Sequence, residues 1–473
     1  MSKLLQKAYD PELFRKEGHE LVDLLADYLK NSGSGKTKKV IDWIEPDDLY
    51  EKWKNYFEKD IPVNEFFSDL IDQSIQLHNP RYMGHQVAAP LPVTALASMV
   101  GSLLNNGMAI YEMGPVSSAI EKWIVTHFAK LIGNYEADGF LTSGGTLATL
   151  TALLSARQTV LESDIWEDGL KDKVAIMVSE QAHYSVDKAV RIMGLGASGI
   201  IKVPVDNDYK MRTDQLEPLF QKAQSDGLKI IAVVANACST STGTYDNLTA
   251  ISEFCSSKKI WFHVDAAHGG GVLYSPKYKS LLAGMEDADS VIIDLHKMLL
   301  SPALSTLVLF KNSDDSYKTF SQKAQYLWEN EQDKEWYNYA KRTLECTKLM
   351  MSVRFYSIIQ AYGSEIFDDY VTRQYDLAKE FSDLIKTDPN FELATEPMAN
   401  IVCFRYKENK ETDLNKLNSQ IRKTSLENGE YYIVQTELDG ETYLRVTLMN
   451  PFTEIEHLQA LLEEIEKIAK SIE

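Results

Sequence analysis

The chain has 473 residues, of which 44% are hydrophobic and 25% are charged, values typical of a folded globular protein. Lys and Arg total 49 against 69 Asp and Glu, a formal net charge of −20, which disfavours binding to nucleic-acid phosphates and to anionic membranes. The length exceeds the usual size of a single hydrophobic core, so we expect two or three domains.

The N-terminal sequence predicts helices. In PELFRKEGHELVDLLADYLKN (11–31) the leucines fall mostly at intervals of three or four residues, as on one face of an amphipathic helix. Residues 1–20 lack the apolar run of a signal peptide, and no later run is long enough to cross a membrane. The four cysteines are widely spaced without a metal-binding pattern, which predicts neither disulfides nor a metal site. We therefore expect a cytoplasmic protein.

A glycine-rich stretch follows the first helices. NSGSGKTKK (31–39) resembles a phosphate-binding P-loop, but Lys30 stands where the motif needs its first glycine, and a predicted helix precedes it instead of a strand. We interpret the stretch as a linker.

From about residue 135 the sequence alternates between helical stretches and short β-branched runs, several of which are apolar on both faces, as buried parallel strands are. The strand candidates are KVAIMVS (173–179), IIKVPV (200–205), KIIAVVAN (229–236), IWFHVDA (260–266), SVIID (290–294) and TLVLF (306–310). They predict an α/β domain with a mostly parallel sheet covered by helices. GLGASG (194–199) has the glycine spacing of a dinucleotide site, but it follows a helix and precedes a strand, the reverse of the required order.

The C-terminal third predicts a long helix over residues 342–362 and then a smaller α+β domain. Its strand candidates are MANIVCFRY (398–406), YYIVQTEL (431–438) and TYLRVTLMN (442–450), and EIEHLQALLEEIEKIAKSI (454–472) predicts the last helix.

Two stretches at predicted strand ends offer small residues and an acid. LTSGGTLATLTALLSAR (141–157) opens a helix with small residues, with Thr142 or Ser143 as its cap, and the free N–H groups of such a helix suit phosphate. An ordinary capped helix would look the same. WFHVDAAHGGGV (261–272) ends a strand in Asp265, and the following glycines let a ligand approach the backbone.

Two further stretches place a base at a strand end. SEQAHYSVDKAV (179–190) carries His183 just after a strand, where a structural histidine is the alternative interpretation. IIDLHKMLLS (292–301) places Lys297 in an apolar run, although lysine is rarely buried without a partner. An apolar setting is expected to lower the pKa of this lysine and favour the nucleophilic free amine.

These four pieces together match the needs of pyridoxal phosphate. Its phosphate binds a helix N-terminus, its aldehyde forms a Schiff base with a lysine, and its pyridinium nitrogen pairs with an aspartate. We therefore expect one pyridoxal-phosphate site built from all four stretches.

The order and spacing of the motifs resemble the group II pyridoxal-phosphate decarboxylases, the family of glutamate, cysteine sulfinate, aromatic amino-acid and diaminobutyrate decarboxylases. The resemblance runs through NPRYMGHQ (79–86), YEMGP (111–115), HVDAAHGG (263–270), the histidine–lysine pair and YLRVTLMNP (443–451). It implies α-decarboxylation of an L-amino acid to the primary amine and carbon dioxide, in a homodimer whose active sites use both chains.

The resemblance also implies the fold, the α/β fold of PLP-dependent transferase type I (aspartate aminotransferase-like). A mostly parallel central sheet is flanked by helices, with an N-terminal helical segment and a small C-terminal α+β domain. The implied boundaries are 1–78 for an N-terminal dimerisation segment, 79–355 for the large pyridoxal-phosphate domain and 356–473 for the small domain.

Site residues follow from the same resemblance. Lys297 is implied as the Schiff-base lysine, Asp265 as the partner of the pyridinium nitrogen and His183 as the residue stacked on the ring. The remaining matched positions are Gly145, Thr146 and His296 for the phosphate, Thr240 and Ala267 for the ring, and Arg445 for the substrate α-carboxylate.

Relatives protonate the product carbon with a tyrosine from a mobile loop that crosses the dimer interface. The corresponding segment is YLWENEQDKEWYNYAKRTLECTK (326–348), in which Tyr337 is the first candidate and Tyr339 the second. Exposed aromatic residues on a polar loop are the alternative interpretation.

Two departures from the family pattern stand near the expected site. Cys238 and Ser239 replace the usual glycine and threonine before Thr240. Asp294 stands where aromatic amino-acid decarboxylases carry an asparagine near the phosphate, and a carboxylate would repel phosphate there.

Other functions remain open at this point. An aminotransferase or an aldehyde synthase would share the lysine anchor, a non-catalytic binding protein would share the scaffold, and a nicotinamide-dependent oxidoreductase is disfavoured by the reversed GLGASG motif. The motifs leave acidic, aromatic and diamino substrates equally open, because YEMGP favours the glutamate branch and TSGGT (142–146) the diaminobutyrate branch.

Overall fold

A computed structural model describes residues 1–37, 39–134, 136–161, 163–320, 334–407 and 413–472. The α-helices within these residues are α1 (Lys3–Ala8), α2 (Pro11–Gly33), α3 (Pro46–Phe57), α4 (Val63–Gln73), α5 (Pro92–Leu104), α6 (Pro115–Ile132), α7 (Gly145–Val160), α8 (Ile165–Asp168), α9 (Tyr184–Ile192), α10 (Leu216–Ser225), α11 (Leu248–Lys258), α12 (Ser313–Lys318), α13 (Met351–Tyr362), α14 (Glu365–Thr387), α15 (Leu414–Asn428) and α16 (Ile455–Ile472).

The strands of the described residues fall into two sheets. They are β1 (Asp138–Thr142), β2 (Val174–Ser179), β3 (Ile200–Val203), β4 (Lys229–Asn236), β5 (Trp261–Asp265), β6 (Ser290–Asp294), β7 (Thr306–Phe310), β8 (Phe391–Leu393), β9 (Ile401–Tyr406), β10 (Val434–Leu438) and β11 (Glu441–Thr447).

The chain divides into two compact units. The sheet unit comprises Pro90–Lys379 and Thr395–Val402, and the terminal unit comprises Met1–Ala89, Glu380–Ala394 and Cys403–Glu473.

The sheet unit contains a seven-stranded sheet in the order β1-β7-β6-β5-β4-β2-β3. β3, β2, β4, β5 and β6 run parallel to one another, whereas β7 runs antiparallel to both β6 and β1. Every residue of β1, β2, β5, β6 and β7 is buried. The predicted mostly parallel sheet, flanked by helices, is therefore confirmed, and its six predicted strands are β2–β7.

β1 was not predicted from the sequence. Its sequence, DGFLT, is short and contains Asp138 and Gly139, two residue types that are rare in strands. Glycine is required here by the packing, because a Cβ on Gly139 would lie 1.9 Å from the carbonyl oxygen of Val308 in β7.

The carboxyl ends of the central strands meet at one edge of the sheet. Asp265 at the end of β5 lies opposite Asn236 of β4 on one side and Ile292 of β6 on the other. The backbone N–H of Asp294 donates to the carbonyl of Ala267, 3.0 Å away. Residues that follow β4, β5 and β6 are therefore brought together, which is where open α/β sheets bind ligands.

The terminal unit contains a four-stranded sheet in the order β10-β11-β9-β8. The three predicted C-terminal strands correspond to β9, β10 and β11, and the three-residue β8 was not identified because it is too short for a clear alternation. The apolar positions of the last predicted helix are the buried face of α16, namely Leu458, Leu461, Leu462, Ile465 and Ile468.

The helix predicted over residues 342–362 is wrong in its first part, since α13 begins only at Met351. Two buried ion pairs hold the preceding segment against β1 instead. The guanidinium of Arg342 donates to Asp138, with 2.7 Å between Nη1 and Oδ2. The ammonium of Lys348 donates to Glu121 and, at 2.8 Å, to the carbonyl oxygen of Leu141. The segment before Met351 is therefore held against β1 by side-chain contacts and is not part of α13.

The local structure agrees with the arguments against a P-loop at residues 31–39 and against a dinucleotide site at residues 194–199. α2 continues through Gly33, so a helix precedes the P-loop-like stretch. Residues 194–199 lie between α9 and β3. No helix among the described residues has the length and the apolar character needed to span a membrane.

Candidate active site

The turn between β1 and α7 presents backbone N–H groups. β1 ends at Thr142 and α7 begins at Gly145, with Gly144 between them at a φ of 127°, a conformation that favours glycine. In the part of the chain that the structure describes, no side chain caps the first turn of α7. The N-terminus of α7 therefore offers the N–H groups and the positive end of the helix dipole to an anion.

The expectation that Thr142 or Ser143 caps α7 is wrong. The Thr142 hydroxyl donates to the carbonyl oxygen of Gly144 at 3.2 Å, and the Ser143 hydroxyl donates to Glu345 Oε1 at 2.6 Å. Both hydroxyls are thus used by oxygen acceptors away from the helix N–H groups.

His183 directly precedes α9 and is its N-cap. Its Nδ1 accepts from the backbone N–H of Ser185 at 3.3 Å and lies 2.8 Å from the Ser185 hydroxyl. Burial lowers the pKa of His183 below its usual value, although the carboxylate of Asp265 opposes this shift. The ring is therefore held in place by its own helix and is neutral near pH 7.

Asp265 is the last residue of β5 and is 7% exposed. Its Oδ1 accepts from the backbone N–H of Ala267 at 3.1 Å. Burial raises the pKa of the carboxyl group, while Lys297 and His183 partly offset the effect. A buried carboxylate of this kind favours a cationic partner.

Lys297 lies three residues beyond the end of β6. Its Nζ is 2.8 Å from Oδ2 of Asp294, and the two side chains are 18% and 3% exposed. The hydroxyl of Thr306 in β7 donates a hydrogen bond to Oδ1, the other carboxylate oxygen of Asp294. The lysine therefore has a partner, and that partner is the aspartate that departs from the family pattern.

The expected direction of the lysine pKa is wrong. Burial favours the neutral amine, but Asp294, together with Asp265 and Cys238, outweighs burial, so the pKa of Lys297 is raised above its ordinary value. Burial likewise opposes ionisation of Asp294, yet Lys297 and His296 hold the pKa of that carboxyl below its ordinary value. The pair is therefore charged.

One cavity of about 480 Å³ joins these elements, a size usual for small-molecule and cofactor sites. Eight of the predicted positions line it, namely Gly145, Thr146, His183, Thr240, Asp265, Ala267, His296 and Lys297. The Nδ1 atom of His296 lies 2.8 Å from the carbonyl oxygen of Ser305.

The residues of this cavity fit pyridoxal phosphate. The uncapped N-terminus of α7 suits its phosphate, and a carboxylate whose pKa is raised by burial suits a cationic ring nitrogen. A neutral imidazole and the small Ala267 leave room for a flat aromatic ring, and Lys297 supplies an amine at the cavity wall.

Arg445 belongs to the terminal unit. It lies in β11 opposite Val434 of β10 and is 7% exposed. Burial lowers its pKa. His85 of the same unit has its pKa lowered by burial and further by Arg445 and Arg422, so this part of the unit carries concentrated positive charge.

Neither loop tyrosine lines the cavity within the described residues. The Tyr337 hydroxyl donates to Glu335 at 3.3 Å, and its ring packs edge-on against Tyr111. Tyr339 is buried, and its hydroxyl donates to the carbonyl oxygen of Ser118 at 3.3 Å. Residues 326–333 of the predicted loop lie outside the described residues.

Two further residue pairs at the cavity were not identified from the sequence. His268 lines the cavity, and its Nε2 lies 2.7 Å from Oδ1 of Asn400. Glu345 binds Ser143. His268 stands inside the quoted HVDAAHGG motif, which was a usable signal, whereas Glu345 lies 202 positions from Ser143 and no local pattern could connect them.

Comparisons with known proteins identify the family of this chain. The family model described as "Pyridoxal-dependent decarboxylase conserved domain" matches residues 66–407. The aspartate 1-decarboxylase of Aliivibrio fischeri (strain ATCC 700601 / ES114) is 30% identical over 454 residues, which cover 85% of this chain and 82% of that protein. The aromatic-L-amino-acid decarboxylase of Bacillus atrophaeus is 26% identical and covers 100% of this chain and 98% of its own.

A solved structure has the same fold. The crystal structure of mouse CSAD superposes with a TM-score of 0.89 at 24% identity, over 97% of this chain and 99% of that one. The resemblance inferred from the motifs is thus confirmed, as is the aspartate aminotransferase-like fold. The chain is a pyridoxal-phosphate-dependent amino-acid decarboxylase, a lyase, and it belongs to the pyridoxal-dependent decarboxylase family.

Proposed function

We propose that the enzyme removes the α-carboxylate of an L-amino acid, with Lys297 as the residue that binds pyridoxal phosphate covalently and Asp265 as the partner of its ring nitrogen. The observation that carries the proposal is that both side chains line one cavity beside the N-terminus of α7. When bound, the cofactor supplies a conjugated ring that accepts the electron pair released by the departing carboxylate.

The other cavity residues have supporting roles in this proposal. Asp265 keeps a proton on the ring nitrogen, because a carboxylate shielded from water stabilises a nearby cation. His183 covers one face of the ring. Gly145, Thr146 and His296 bind the phosphate, and Thr240 and Ala267 line the space around the ring.

Two proposed roles concern the substrate. Arg445 binds the α-carboxylate, since a guanidinium forms two parallel hydrogen bonds with a carboxylate. Tyr337 returns a proton to the substrate carbon after carbon dioxide has left. The positive charges of Arg445 and Arg422 contribute to the lowered pKa of His85. This positive charge supports an anion-binding role for this part of the terminal unit.

The test is a spectrum of the purified protein with and without borohydride, followed by product analysis. Reduction should fix a pyridoxyl group on the peptide that contains Lys297, and incubation with substrate should release amine and carbon dioxide in equal amounts. An aminotransferase would yield a keto acid and an aldehyde synthase would yield an aldehyde. A panel of acidic, aromatic and diamino amino acids identifies the substrate class.

We further propose a homodimer with shared active sites, in which residues 1–78 are a dimerisation segment, 79–355 the large domain and 356–473 the small domain. Exposed apolar side chains support this proposal, because monomeric proteins rarely expose many together. α5 of the sheet unit exposes Leu96, Met99, Val100, Leu103 and Leu104. The N-terminal segment of the terminal unit exposes Leu4, Leu5, Tyr9 and Phe14.

Mixed dimers test the shared site. A Lys297→Ala chain and a Tyr337→Phe chain are each impaired, but a mixed dimer should contain one site with both intact residues. Partial recovery of amine production on mixing is expected. If mass spectrometry shows that mixed dimers form but amine production does not recover, the two residues act within the same chain.

The proposed location is the cytoplasm, with an amino acid as substrate and neither nucleic acid nor membrane as partner. All four cysteines lie in the described residues and are free thiols, which supports a reducing compartment. The formal charge of −20 supports the absence of nucleic-acid binding. Cell fractionation tests the location.

A further inference from the structure

The turn that follows β6 brings Asp294 and Lys297 to the same side of the chain. The backbone N–H of Leu295 donates to the carbonyl oxygen of Ser305 at 3.0 Å. The N–H of Ser301 donates to the carbonyl oxygen of Leu295 at 3.1 Å, and the N–H of Leu300 donates to the carbonyl oxygen of Lys297 at 3.2 Å. These bonds close the turn, so the placement of the lysine side chain beside Asp294 follows from the backbone.

Asp294 is held at both carboxylate oxygens. Lys297 binds Oδ2 at 2.8 Å, and the Thr306 hydroxyl binds Oδ1. His296 Nε2 is 3.7 Å from Oδ2. A carboxylate that is 3% exposed and has two donors is fixed in position, and removal of one member of such a pair leaves an uncompensated charge.

Among the described residues, six titratable groups line the cavity together with Lys297. Asp294 and His296 belong to its own turn, Asp265 ends β5, His268 follows β5, Cys238 follows β4 and His183 precedes α9. The carboxylate of Asp294 makes the largest favourable contribution to the lysine ammonium, ahead of Asp265 and Cys238.

We propose that Asp294 is a positioning residue for Lys297. The Asp294 carboxylate holds the Lys297 ammonium at the cavity wall and thereby sets the pH at which this lysine bonds to the cofactor. The inference rests on the proposed function, in which Lys297 is the covalent anchor.

The chemistry of attachment explains the effect. An ammonium nitrogen has no free electron pair, so Lys297 must first release one proton to solvent. The amine nitrogen then bonds to the aldehyde carbon, and the aldehyde oxygen leaves as water with the two remaining nitrogen hydrogens. Asp294 stabilises the ammonium, so that attachment requires a higher pH than an unpaired buried lysine would need.

A second role for Asp294 has to be separated from this one. A Cβ on Gly145, the first residue of α7, would lie 3.3 Å from Asp294 Oδ1, so the carboxylate is also close to the proposed phosphate position. Simple repulsion of phosphate would weaken the binding of every phosphorylated ligand, whether or not it can bond to lysine.

The experiment compares the wild-type protein with Asp294→Asn after removal of the cofactor from the full chain. Pyridoxal phosphate is added across a pH series, borohydride traps the covalent product, and mass spectrometry quantifies the adduct on the Lys297 peptide. Asp294→Asn should shift the midpoint of trapping downward by about one pH unit or more. Asp289→Asn is the matched control, because Asp289 immediately precedes β6 at the opposite end of the strand and accepts from the Phe262 N–H at 2.8 Å.

Pyridoxine 5′-phosphate, which carries an alcohol in place of the aldehyde, separates the two roles. If its affinity increases in Asp294→Asn but the trapping midpoint does not move, Asp294 acts on phosphate alone and the inference is wrong. If the wild-type adduct forms on a different lysine, the proposed function itself is wrong.

A measurement on the wild-type protein covers the case in which Asp294→Asn does not fold. Competitive labelling of the cofactor-free chain with a small amine reagent across pH gives the titration of each lysine. Lys297 should become reactive at a higher pH than exposed lysines such as Lys7. Reactivity at a lower pH would show that burial outweighs Asp294 and would overturn the inference.

Discussion

The hydroxyl of Ser143 donates a 2.6 Å hydrogen bond to Glu345, although the two residues are 202 positions apart in the chain. Ser143 lines the cavity immediately before α7. The segment that carries Glu345 is anchored on either side by the buried ion pairs of Arg342 with Asp138 and of Lys348 with Glu121. A carboxylate is thus held next to the helix N-terminus proposed to bind phosphate.

Glu345→Gln should therefore bind pyridoxal phosphate more tightly. Glutamine keeps an oxygen acceptor for Ser143 but removes a negative charge close to the phosphate, and we expect roughly a threefold to tenfold gain in affinity at low salt. Equilibrium titration followed by absorbance measures it. Glu253→Gln, at an exposed position of α11, is the control. Equal affinity of Glu345→Gln and wild type would show that Glu345 lies too far from the bound phosphate.

Lys297→Ala should abolish covalent attachment of the cofactor, because no other lysine lines the cavity within the described residues. After borohydride reduction, mass spectrometry should find the pyridoxyl adduct on the Lys297 peptide of the wild type and none in the variant. Lys188→Ala, an exposed position on α9, should retain the adduct. A persistent adduct in Lys297→Ala would assign the anchor to another residue.

Asp265→Asn should fold normally but lose activity by about a hundredfold or more, roughly 2.7 kcal/mol of transition-state stabilisation. An amide carries no full negative charge to hold a proton on the ring nitrogen. Turnover at saturating cofactor is the measurement, with the thermal midpoint as a folding control. Near-normal turnover would give the carboxylate a different role.

Arg342→Met should destabilise the fold by about 3–5 kcal/mol, because it leaves Asp138 as a partly paired buried charge. Arg342 is fully buried, and its Nη1 is 2.7 Å from Asp138 Oδ2. Urea denaturation measures the free energy of unfolding. Lys386→Met, which removes an exposed ion pair with Asp383, should change it by less than about 1 kcal/mol.

The pair of Arg342 and Asp138 also predicts a pH dependence. Burial opposes ionisation of Asp138, but Arg342 and Lys122 hold its pKa below the ordinary value of 3.8. The stabilisation is therefore fully present above pH 3.8 and is lost as the pH falls through the lowered pKa of the folded state. The difference in the free energy of unfolding between the wild type and Arg342→Met should shrink in that acid range. A difference that does not change with pH there would contradict the prediction.

Tyr337→Phe should release carbon dioxide slowly and amine still more slowly. In the proposed mechanism, loss of the carboxylate depends on Lys297, Asp265 and Arg445, whereas return of the proton needs a donor that phenylalanine lacks. Parallel assays of carbon dioxide, amine and aldehyde under air give the ratio. Tyr339→Phe loses a buried hydrogen bond to Ser118 and should lower stability without changing this ratio. An unchanged amine yield in Tyr337→Phe would transfer the role to Tyr339 or His183.

Strand positions were predictable where the local sequence was unambiguous. β2 and β4–β7 carry apolar residues on both faces, as buried strands do. Asp265 is the last residue of β5, and Lys297 lies three residues beyond β6. Residues 342–350 were predicted as helix because their composition permits one. The ion pairs of Arg342 and Lys348 with residues of α6 and β1 override that local preference.

The sequence by itself determined the candidate residues for the chemistry, because strand ends and motif spacing depend on neighbours along the chain. Lys297, Asp265 and His183 were identified in this way. Only the tertiary structure decided the electrostatics around them. Asp294 lies 2.8 Å from Lys297 and raises its pKa, and Glu345 reaches Ser143 from a distant segment. Distances between side chains depend on packing, and the charge of a buried group depends on those distances more than on the polarity of its flanking sequence.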